Sequence, residues 1–203
     1  MSANFIDSTA VVHPGAIIGK GNNIGPYCYI GPNVIMGDYN YFAGYVSVGM
    51  TAEHRDYFNK IGSIIIGNNN YFREFVTINS STHGITRVAN NCLMLRGSHL
   101  SHDSELEDHV NVSCSVLIGG ESKIMRGANL GLGAIIHQRQ IIGSYSMLGM
   151  GTIVTGKSEI QPGQVYVGNP AKWIKRNEIG LSRNKITDEM LLKELDRWES
   201  LRL

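Results

Sequence analysis

Two histidines and one carboxylate lie within five consecutive residues of this chain, His99-Leu100-Ser101-His102-Asp103. A neutral imidazole is the most common general base near neutral pH, and an adjacent carboxylate can fix its tautomer and stabilise its charged form. The segment therefore has the residue types needed to take a proton from a nucleophile. Because a lone exposed histidine is more often a surface residue without such a role, the function of the segment depends on the elements that position it.

An apolar residue recurs at every sixth position through most of the 203-residue chain. The series extends from Ile6 to Val48, continues from Ile66 to Ile78, and resumes after a four-residue shift of phase from Val88 to Ile160. A period of six matches neither an α-helix nor an alternating strand and is typical of hexapeptide β-helices. The sequence therefore predicts an all-β solenoid of short parallel strands. A glycine-rich β-sandwich, the alternative, requires alternation of apolar and polar residues between loops of irregular length.

The six-residue period also predicts which residues stack on one another. If three hexapeptides close one coil, residues eighteen apart form columns with a spacing of about 4.8 Å. His102 then lies in a column with Gly120 and Gln138. The column thus contains an imidazole, a residue without a side chain and a side-chain amide in successive coils. Such a track could hold a reacting group against the imidazole, with a backbone N–H near a developing oxyanion. A ladder of charges runs beside it, formed by Asp103, Glu121, Arg139 and Lys157.

Two interruptions of the period predict loops on one face of the solenoid. The first, at about 50–63, is polar and charged but keeps the phase, whereas the second, at about 80–87, breaks it. Insertions in a solenoid form loops that often bind ligands, although either could be a simple surface excursion. Their proximity favours one shared ligand rim, in which His54 and His83 could touch the ligand. Since neither His99 nor His102 shares the inward phase, both rings are expected to point outward.

The carboxyl-terminal part of the chain changes character after residues 168–172. An amphipathic helix is expected from Thr187, with Thr187 as its N-cap and Leu191, Leu195 and Trp198 along one face. Such a helix can cover the last coil, whose backbone and apolar residues are otherwise exposed. We therefore predict a β-helix over 1–170, carrying both insertions, and a helical appendage over 171–203.

Composition excludes several other classes of function. A net charge of +1 gives no reason to expect nucleic acid as the main partner. The three cysteines, Cys28, Cys92 and Cys114, are too far apart in sequence for a disulfide framework or a zinc cluster. No segment has the length and apolar character of a membrane span, and the first ten residues do not resemble a secretory signal. A cytoplasmic protein is expected.

Several segments resemble the UDP-N-acetylglucosamine acyltransferases, which perform the first acylation of lipid A biosynthesis. The resemblance covers the chain to about Asn184. That family has a left-handed parallel β-helix and works as a homotrimer with active sites between subunits, so handedness and trimerisation are expectations from the resemblance alone. The segments and positions that carry it are Ile6 to Pro14, Arg73 to Ile78, His99 to Asp103, His137-Gln138, Asn177, Gly180, Leu181 and Arg183.

The resemblance implies a role for individual residues. His102 matches the catalytic general base, Asp103 its acidic partner, and Gly120 the glycine whose amide holds the thioester oxyanion. The reaction so implied is direct acyl transfer to a nucleotide-linked sugar, without a metal or a tightly bound cofactor. The acyl donor is an acyl carrier protein phosphopantetheine or CoA. Positions lining the substrate cleft correspond to His99, His137 and Gln138, and positions near the nucleotide and its phosphates correspond to Asn177 and Arg183.

The chain departs from the family pattern at positions that contact the substrate. Asp56 replaces a substrate-binding lysine, while Asn79 and Glu121 replace histidines. These three changes leave open whether UDP-N-acetylglucosamine or another sugar nucleotide is the acceptor, and Arg55 or Lys60 could take over the role of the lysine. Met150 stands where residue bulk limits acyl length in the family, so a short or medium acyl group is expected.

Three alternatives to this reading are open at the level of the sequence. The segment 167–172 is similar to a loop of acetyl-CoA-dependent hexapeptide N-acetyltransferases, some of which act on nucleotide-linked amino sugars. Zinc carbonic anhydrases also use hexapeptide β-helices, but they need three converging histidines, and the usual spacing of the paired ligands is missing here. A non-catalytic scaffold is the third alternative, against which the stacked relation of His102, Asp103 and Gly120 argues.

Overall fold

The computed structural model describes residues 3–57, 60 and 62–202. Most strands contain only two residues, because each one ends at a corner of the coil. The strands are, in chain order, β1 (Phe5–Ile6), β2 (Val11–Val12), β3 (Ile17–Ile18), β4 (Asn23–Ile24), β5 (Tyr29–Ile30), β6 (Val34–Met36), β7 (Tyr41–Phe42), β8 (Ser47–Met50), β9 (Ser63–Ile66), β10 (Tyr71–Phe72), β11 (Thr77–Asn79), β12 (Ile85–Val88), β13 (Leu93–Met94), β14 (His99–Leu100), β15 (Glu105–Leu106), β16 (Asn111–Val112), β17 (Leu117–Ile118), β18 (Lys123–Ile124), β19 (Asn129–Leu130), β20 (Ile135–Ile136), β21 (Ile141–Ile142), β22 (Met147–Leu148), β23 (Ile153–Val154), β24 (Gln164–Val167) and β25 (Lys172–Arg176). The two helices are α1 (Glu178–Arg183) and α2 (Asp188–Ser200).

Three parallel sheets form the faces of a solenoid of about nine turns. The first sheet has the order β1-β4-β7-β10-β13-β16-β19-β22-β24-β25, the second β2-β5-β8-β11-β14-β17-β20-β23, and the third β21-β18-β15-β12-β9-β6-β3. From β1 to β23, consecutive strands along the chain thus belong to different faces and every third strand pairs, whereas β25 pairs antiparallel with β24. The all-β, left-handed parallel β-helix with a short helical segment, as predicted from the sequence, is confirmed.

The sixth-position residues form the core, as the period predicts. Leu100 lies opposite Ile118, and Ile118 opposite Ile136, so that identical inward positions stack from coil to coil. All three are buried and belong to one continuous apolar cluster. Ile6 is an exception with 44% of its surface exposed, since β1 is the edge of its sheet among the described residues and no further coil covers it.

Both insertions leave the solenoid at the same corner. This corner, which we call the loop corner, consists of the turns that follow β8, β11, β14, β17 and β20, where the chain passes from the second sheet to the third. The first insertion lies between β8 and β9, and the second between β11 and β12. Residues 58, 59 and 61 of the first insertion lie outside the described part of the chain. The segment that contains His102 follows β14 and therefore belongs to the same corner.

The glycines that follow the inward residues are required by close packing rather than by turn geometry. At Gly119, a Cβ would lie 2.6 Å from the backbone nitrogen of Gln138 in the next coil. The left-handed conformation falls two residues later, at Glu121, whose φ is 59°. Glycine therefore does not occupy the strained position of this turn. The coil tolerates the strained residue because its neighbours stack on it in the same conformation, as at Asp103 and Arg139.

The carboxyl-terminal segment packs onto the last coils. As expected, Thr187 caps α2, its side chain accepting a hydrogen bond from the Met190 N–H at 3.3 Å. Trp198 is buried, and its indole N–H donates to the Ile141 carbonyl at 3.3 Å. The short helix α1 and the antiparallel pairing of β25 with β24 were not predicted from the sequence. Neither helix of the described chain combines the length and apolar character needed to span a membrane.

A buried carboxylate next to the third sheet binds an arginine of α2. Glu107 is only 8% exposed and accepts hydrogen bonds from the Arg197 guanidinium, at 2.9 Å for Nη1, and from the backbone N–H of Arg126 at 3.1 Å. The Lys123 Nζ lies 3.1 Å from the same carboxylate. Although burial opposes ionisation, the hydrogen bonds of Arg197 and Lys123 outweigh it and lower the pKa of Glu107.

Replacing Glu107 by glutamine should therefore destabilise the protein, because the partly buried Arg197 and Lys123 each lose one of their carboxylate partners. We expect the free energy of unfolding to fall by about 2 kcal/mol, as measured by denaturant unfolding. A lowered pKa in the folded state means that the carboxylate stabilises fully above its unfolded pKa of about 4.3 and loses this effect as the pH falls below that value. Glu189→Gln, which breaks the exposed pair with Lys193 on α2, is the matched control. Equal effects of both variants at pH 7 would contradict the prediction.

Candidate active site

His102 is buried at the loop corner beside its predicted carboxylate partner. Its Nδ1 lies 2.9 Å from Oδ2 of Asp103, and the residue is 9% exposed. A carboxylate this close favours a proton on Nδ1, which leaves the lone pair on Nε2. The imidazole therefore has a free basic nitrogen whose orientation is fixed by a hydrogen bond on the opposite side of the ring.

The Asp103 carboxylate is held by the second insertion. It accepts hydrogen bonds from the Thr82 N–H at 2.9 Å, from the Thr82 hydroxyl at 2.6 Å and from the Gly84 N–H at 2.8 Å. Burial raises the pKa of a carboxyl group, but these bonds and the one to His102 reverse the effect and hold the pKa of Asp103 well below its usual range. The carboxylate is thus ionised at neutral pH. Sequence reasoning missed Thr82, because its contact depends on how the insertion folds.

Gly120 provides the space that the imidazole of His102 occupies. A Cβ on Gly120 would lie 2.7 Å from both Nε2 and Cε1 of His102. The predicted column is therefore real, and it explains the absence of a side chain at position 120. The Gly120 carbonyl accepts a hydrogen bond from the Arg139 N–H at 2.9 Å, while its own N–H donates to no acceptor among the described residues. That N–H is available to a ligand.

The first insertion folds over His102. The rings of His54 and His102 meet edge to face with their centroids 5.8 Å apart. Tyr57 in the same insertion places its hydroxyl 2.6 Å from Nε2 of His83 in the second insertion. The expectation that the rings of His99 and His102 point outward is correct in direction, but neither ring is freely exposed, because the loops cover them. One shared rim is formed by the two insertions.

His99 lies on the second sheet next to this rim. Its Nδ1 is 2.7 Å from the Thr77 hydroxyl in the adjacent strand β11. Burial lowers the pKa of the His99 imidazole below its usual value. The residue is therefore neutral at physiological pH and can act as a hydrogen-bond partner for a polar ligand.

The next coils extend the column beyond Gly120. His137 and Gln138 are both exposed, and Nδ1 of His137 lies 3.0 Å from the Gln138 carbonyl oxygen. Glu121 forms an ion pair with Arg139 at 3.0 Å, as expected for neighbours in the ladder of charges. This part of the loop corner offers amide, imidazole and charged groups to a ligand seated beside His102.

Two of the departures from the family pattern have local structural roles. The side-chain amide of Asn79 is buried and donates to the Thr51 carbonyl at 2.8 Å, which ties the start of the first insertion to β11. Asp56 has an exposed side chain, and its backbone N–H donates to Nδ1 of His54 at 3.3 Å. Both residues thus shape the loop that covers His102.

Asn177 and Arg183 lie at a different corner of the same chain. They line a cleft of about 440 Å³ formed by α1 and the outer surface of the first sheet, which also includes His109, Asn129 and Lys175. Asn177 caps α1 by accepting from the Gly180 N–H at 3.1 Å, and it donates to the Tyr145 carbonyl at 2.8 Å. Within one chain the structure therefore does not bring these residues together with His102.

Met150 is also distant from the loop corner. It lies in the turn between β22 and β23, where the chain passes from the first sheet to the second, and 75% of its surface is exposed. An exposed thioether at this position is free to contact an apolar chain laid along the outside of the second sheet. Whether it limits acyl length stays a prediction.

The described residues form no cluster of three or more histidine, cysteine or acidic side chains that could hold a metal ion. Cys28, Cys92 and Cys114 are free thiols. Burial raises the pKa of the Cys92 thiol to about 12, so this residue is an unreactive part of the core. The chemistry available at the loop corner is therefore that of imidazoles, carboxylates, a hydroxyl and backbone amides.

Comparison with known proteins places this arrangement in a family context. Residues 15–49 match the model of the bacterial transferase hexapeptide family. The same six-residue repeat continues through the rest of the solenoid. Over residues 15–49 the chain is thus similar to the hexapeptide transferases. The resemblance to UDP-N-acetylglucosamine acyltransferases, predicted from the sequence, is confirmed by its relatives in sequence and in structure.

The relatives of this chain are named acyl-[acyl-carrier-protein]–UDP-N-acetylglucosamine O-acyltransferases. The protein from Rickettsia typhi is 35% identical over 124 residues, which are 51% of this chain and 47% of that protein. The chain thus spans about half the length of that relative. The protein from Campylobacter concisus is 28% identical over 95% of this chain and 80% of its own length. The structure of LpxA from Acinetobacter baumannii superposes with a TM-score of 0.81 at 26% identity, covering 96% of this chain and 83% of that one.

Proposed function

We propose that the protein is an acyltransferase that moves an acyl group from an acyl thioester to a nucleotide-linked sugar. The observation that carries the proposal is the pairing of His102 with Asp103 at 2.9 Å beside a glycine whose missing Cβ makes room for the imidazole. The names of its relatives, which are acyl carrier protein-dependent O-acyltransferases, support the reaction class. Lipid A-type O-acylation is the preferred form.

His102 is the general base of this reaction. Asp103 holds the proton on Nδ1, so that Nε2 takes the proton from the sugar hydroxyl as its oxygen attacks the thioester carbonyl. The ionised carboxylate also stabilises the imidazolium that forms, as in other histidine–carboxylate pairs. Proton transfer to the departing thiolate regenerates neutral His102. Each step uses groups that lie within one corner of the coil.

Gly120 stabilises the tetrahedral intermediate. Its N–H donates to no described group, and its backbone lies against the His102 ring. An oxyanion that forms on the thioester carbon, next to the attacking oxygen, can accept this hydrogen bond. The donor thioester is then placed along the column above His102, beside Gln138 and His137. An acyl carrier protein phosphopantetheine is the preferred donor arm, since the relatives are named for that carrier.

The nucleotide binds in the cleft of Asn177 and Arg183, which belongs to a neighbouring subunit. In a single chain this cleft and His102 lie at different corners, and His102 does not line the cleft. A homotrimer with sites between subunits brings the cleft of one chain towards the loop corner of the next. Glu121, Asp56 and Asn79 stand at the rim and set the choice of sugar.

An acetyl-CoA-dependent N-acetyltransferase is the second candidate. It was raised by the segment 167–172, which in the structure joins β24 to β25 and leaves the last coil. Exposed carboxylates at the rim, those of Glu53 and Asp56, favour an acceptor that carries an amine. A non-catalytic scaffold is the remaining alternative and needs none of the contacts of His102.

One assay separates these readings. The protein is incubated with UDP- and dTDP-linked sugars and amino sugars, against either 3-hydroxyacyl carrier protein or acetyl-CoA, and products are identified by mass. We expect transfer from the carrier protein to a sugar hydroxyl. Acylation of an amine from acetyl-CoA alone would establish the second candidate instead, and an absence of product in every combination would favour the scaffold.

A further inference from the structure

We infer that His54 is a second functional imidazole of the site, donating a hydrogen bond from Nε2 to the acceptor while His102 takes the acceptor proton. The inference rests on the proposed function. It starts from the edge-to-face contact of the two rings, whose centroids are 5.8 Å apart. Since the two rings are in contact, we place the nucleophile that Nε2 of His102 deprotonates beside the His54 ring. No other imidazole of the first insertion lies there.

The tautomer of His54 is defined by its own loop. Its Nδ1 accepts the backbone N–H of Asp56 at 3.3 Å, and an atom that accepts a hydrogen bond carries no proton. In the neutral ring the proton is therefore on Nε2. His102 has the opposite tautomer, because Asp103 draws the proton to Nδ1. The two facing rings thus differ in function, one presenting a donor and the other a lone pair.

A hydrogen bond between the insertions holds His54 in place. The Tyr57 hydroxyl lies 2.6 Å from Nε2 of His83, and the ring of Tyr57 packs edge to face against His54 with centroids 5.1 Å apart. The backbone on either side of His83, at Thr82 and Gly84, is bound to the Asp103 carboxylate. A closed circuit of contacts therefore runs from the base through both insertions and back to the base. Tyr57 and His83 are positioning residues in this circuit.

The chemistry of the pair defines the acceptor group that fits. The acceptor must present a hydroxyl or amine to His102 and, next to it, an oxygen that accepts the hydrogen bond of His54. A sugar ring with adjacent oxygen substituents has both. The circuit is specific to the two insertions, since the remaining turns of the loop corner, after β14, β17 and β20, carry no such loops.

Kinetics and imidazole NMR test the inference together. With UDP-N-acetylglucosamine and 3-hydroxyacyl carrier protein as probes, His54→Ala should raise the KM of the acceptor about tenfold, the effect of one lost hydrogen bond, and leave the KM of the donor unchanged. His54→Gln should restore part of the affinity, because its amide can donate. His13→Ala is the matched control, since His13 also accepts a backbone N–H at Nδ1, from Gly15 at 3.0 Å, but lies in the first coil.

The positioning residues give a second, independent readout. Tyr57→Phe and His83→Ala should each raise the acceptor KM, and the double variant should be no worse than either single one, because both remove the same bond. Additive effects, or a His54→Ala variant that behaves like His13→Ala, would overturn the inference. Imidazole ¹⁵N spectra of the wild-type protein should show the proton of His54 on Nε2. A proton on Nδ1 would overturn the inference even if acyl transfer is observed, whereas a correct tautomer without any transfer would count against the proposed function alone.

Discussion

Replacing His102 by alanine is expected to reduce acyl transfer roughly a thousandfold, the usual effect of losing a general base. The variant removes the nitrogen that we assign to accept the nucleophile's proton and leaves the Asp103 carboxylate held by Thr82 and Gly84. The core is unaffected, because the ring packs outside the coil. Turnover is measured by mass detection of the acylated sugar, and binding of the sugar nucleotide is measured by calorimetry.

The control for His102→Ala is His13→Ala, which removes an exposed imidazole from the first coil. Unfolding curves of both variants should coincide with that of the wild-type protein. Binding of the sugar nucleotide should persist in His102→Ala, because the nucleotide cleft lies at another corner. If His102→Ala retains full turnover, the assignment of His102 as the base is wrong. If instead neither protein shows turnover and the variant keeps the biological role of the wild-type protein, the protein is a scaffold.

Adding one methyl group at Gly120 is expected to lower turnover about a hundredfold, because a displacement of about 1 Å in a reacting group has an effect of this size. The new Cβ would lie 2.7 Å from Nε2 and Cε1 of His102, closer than non-bonded atoms can approach. The ring must rotate away, which breaks its hydrogen bond with Asp103 or misdirects Nε2. Since alanine keeps the backbone N–H, the loss reports the position of the base rather than the oxyanion contact.

Gly156→Ala is the matched control for this substitution. Gly156 occupies the same turn position two coils further along, and its nearest neighbour, the His137 ring, would lie 3.7 Å from a new Cβ, an ordinary van der Waals distance. Turnover and stability of Gly156→Ala should match the wild-type protein. A Gly120→Ala variant that is as active as Gly156→Ala would show that the imidazole is not held in the observed place during the reaction.

The column that contains His102 could be predicted from the sequence, because stacked residues in adjacent coils are separated by a constant eighteen positions. Parallel strands pair in register, so Leu100 lies opposite Ile118 and Ile118 lies opposite Ile136, and the residues that follow them stack in the same order. The position of His102 against Gly120 is a consequence of this register. The helix capped by Thr187 likewise follows from a cap residue and an apolar stripe that are local in the sequence.

For residues outside the repeat, the sequence predicted the position of the loops but not their contacts. The two insertions were recognised as loops at one rim, since they interrupt the period, but their contacts were not predictable. His54 reaches the ring of His102, and Thr82 binds Asp103, through loop conformations that no period describes. The same reason explains why α1 and β25 were missed, because both follow the last coil and depend on packing against it.

The sequence by itself determined the solenoid, the stacking of His102 against Gly120 and the corner at which the insertions emerge. These features depend on hydrogen bonds between adjacent coils, which repeat at a constant separation along the chain. Only the tertiary structure decided that His102 is buried, that hydrogen bonds from Thr82 and Gly84 lower the pKa of Asp103 against the effect of burial, and that the ring of His54 contacts that of His102. Burial and tautomer depend on loops that fold against residues distant in sequence. These contacts join residues at irregular separations along the chain, so the six-residue period does not predict them.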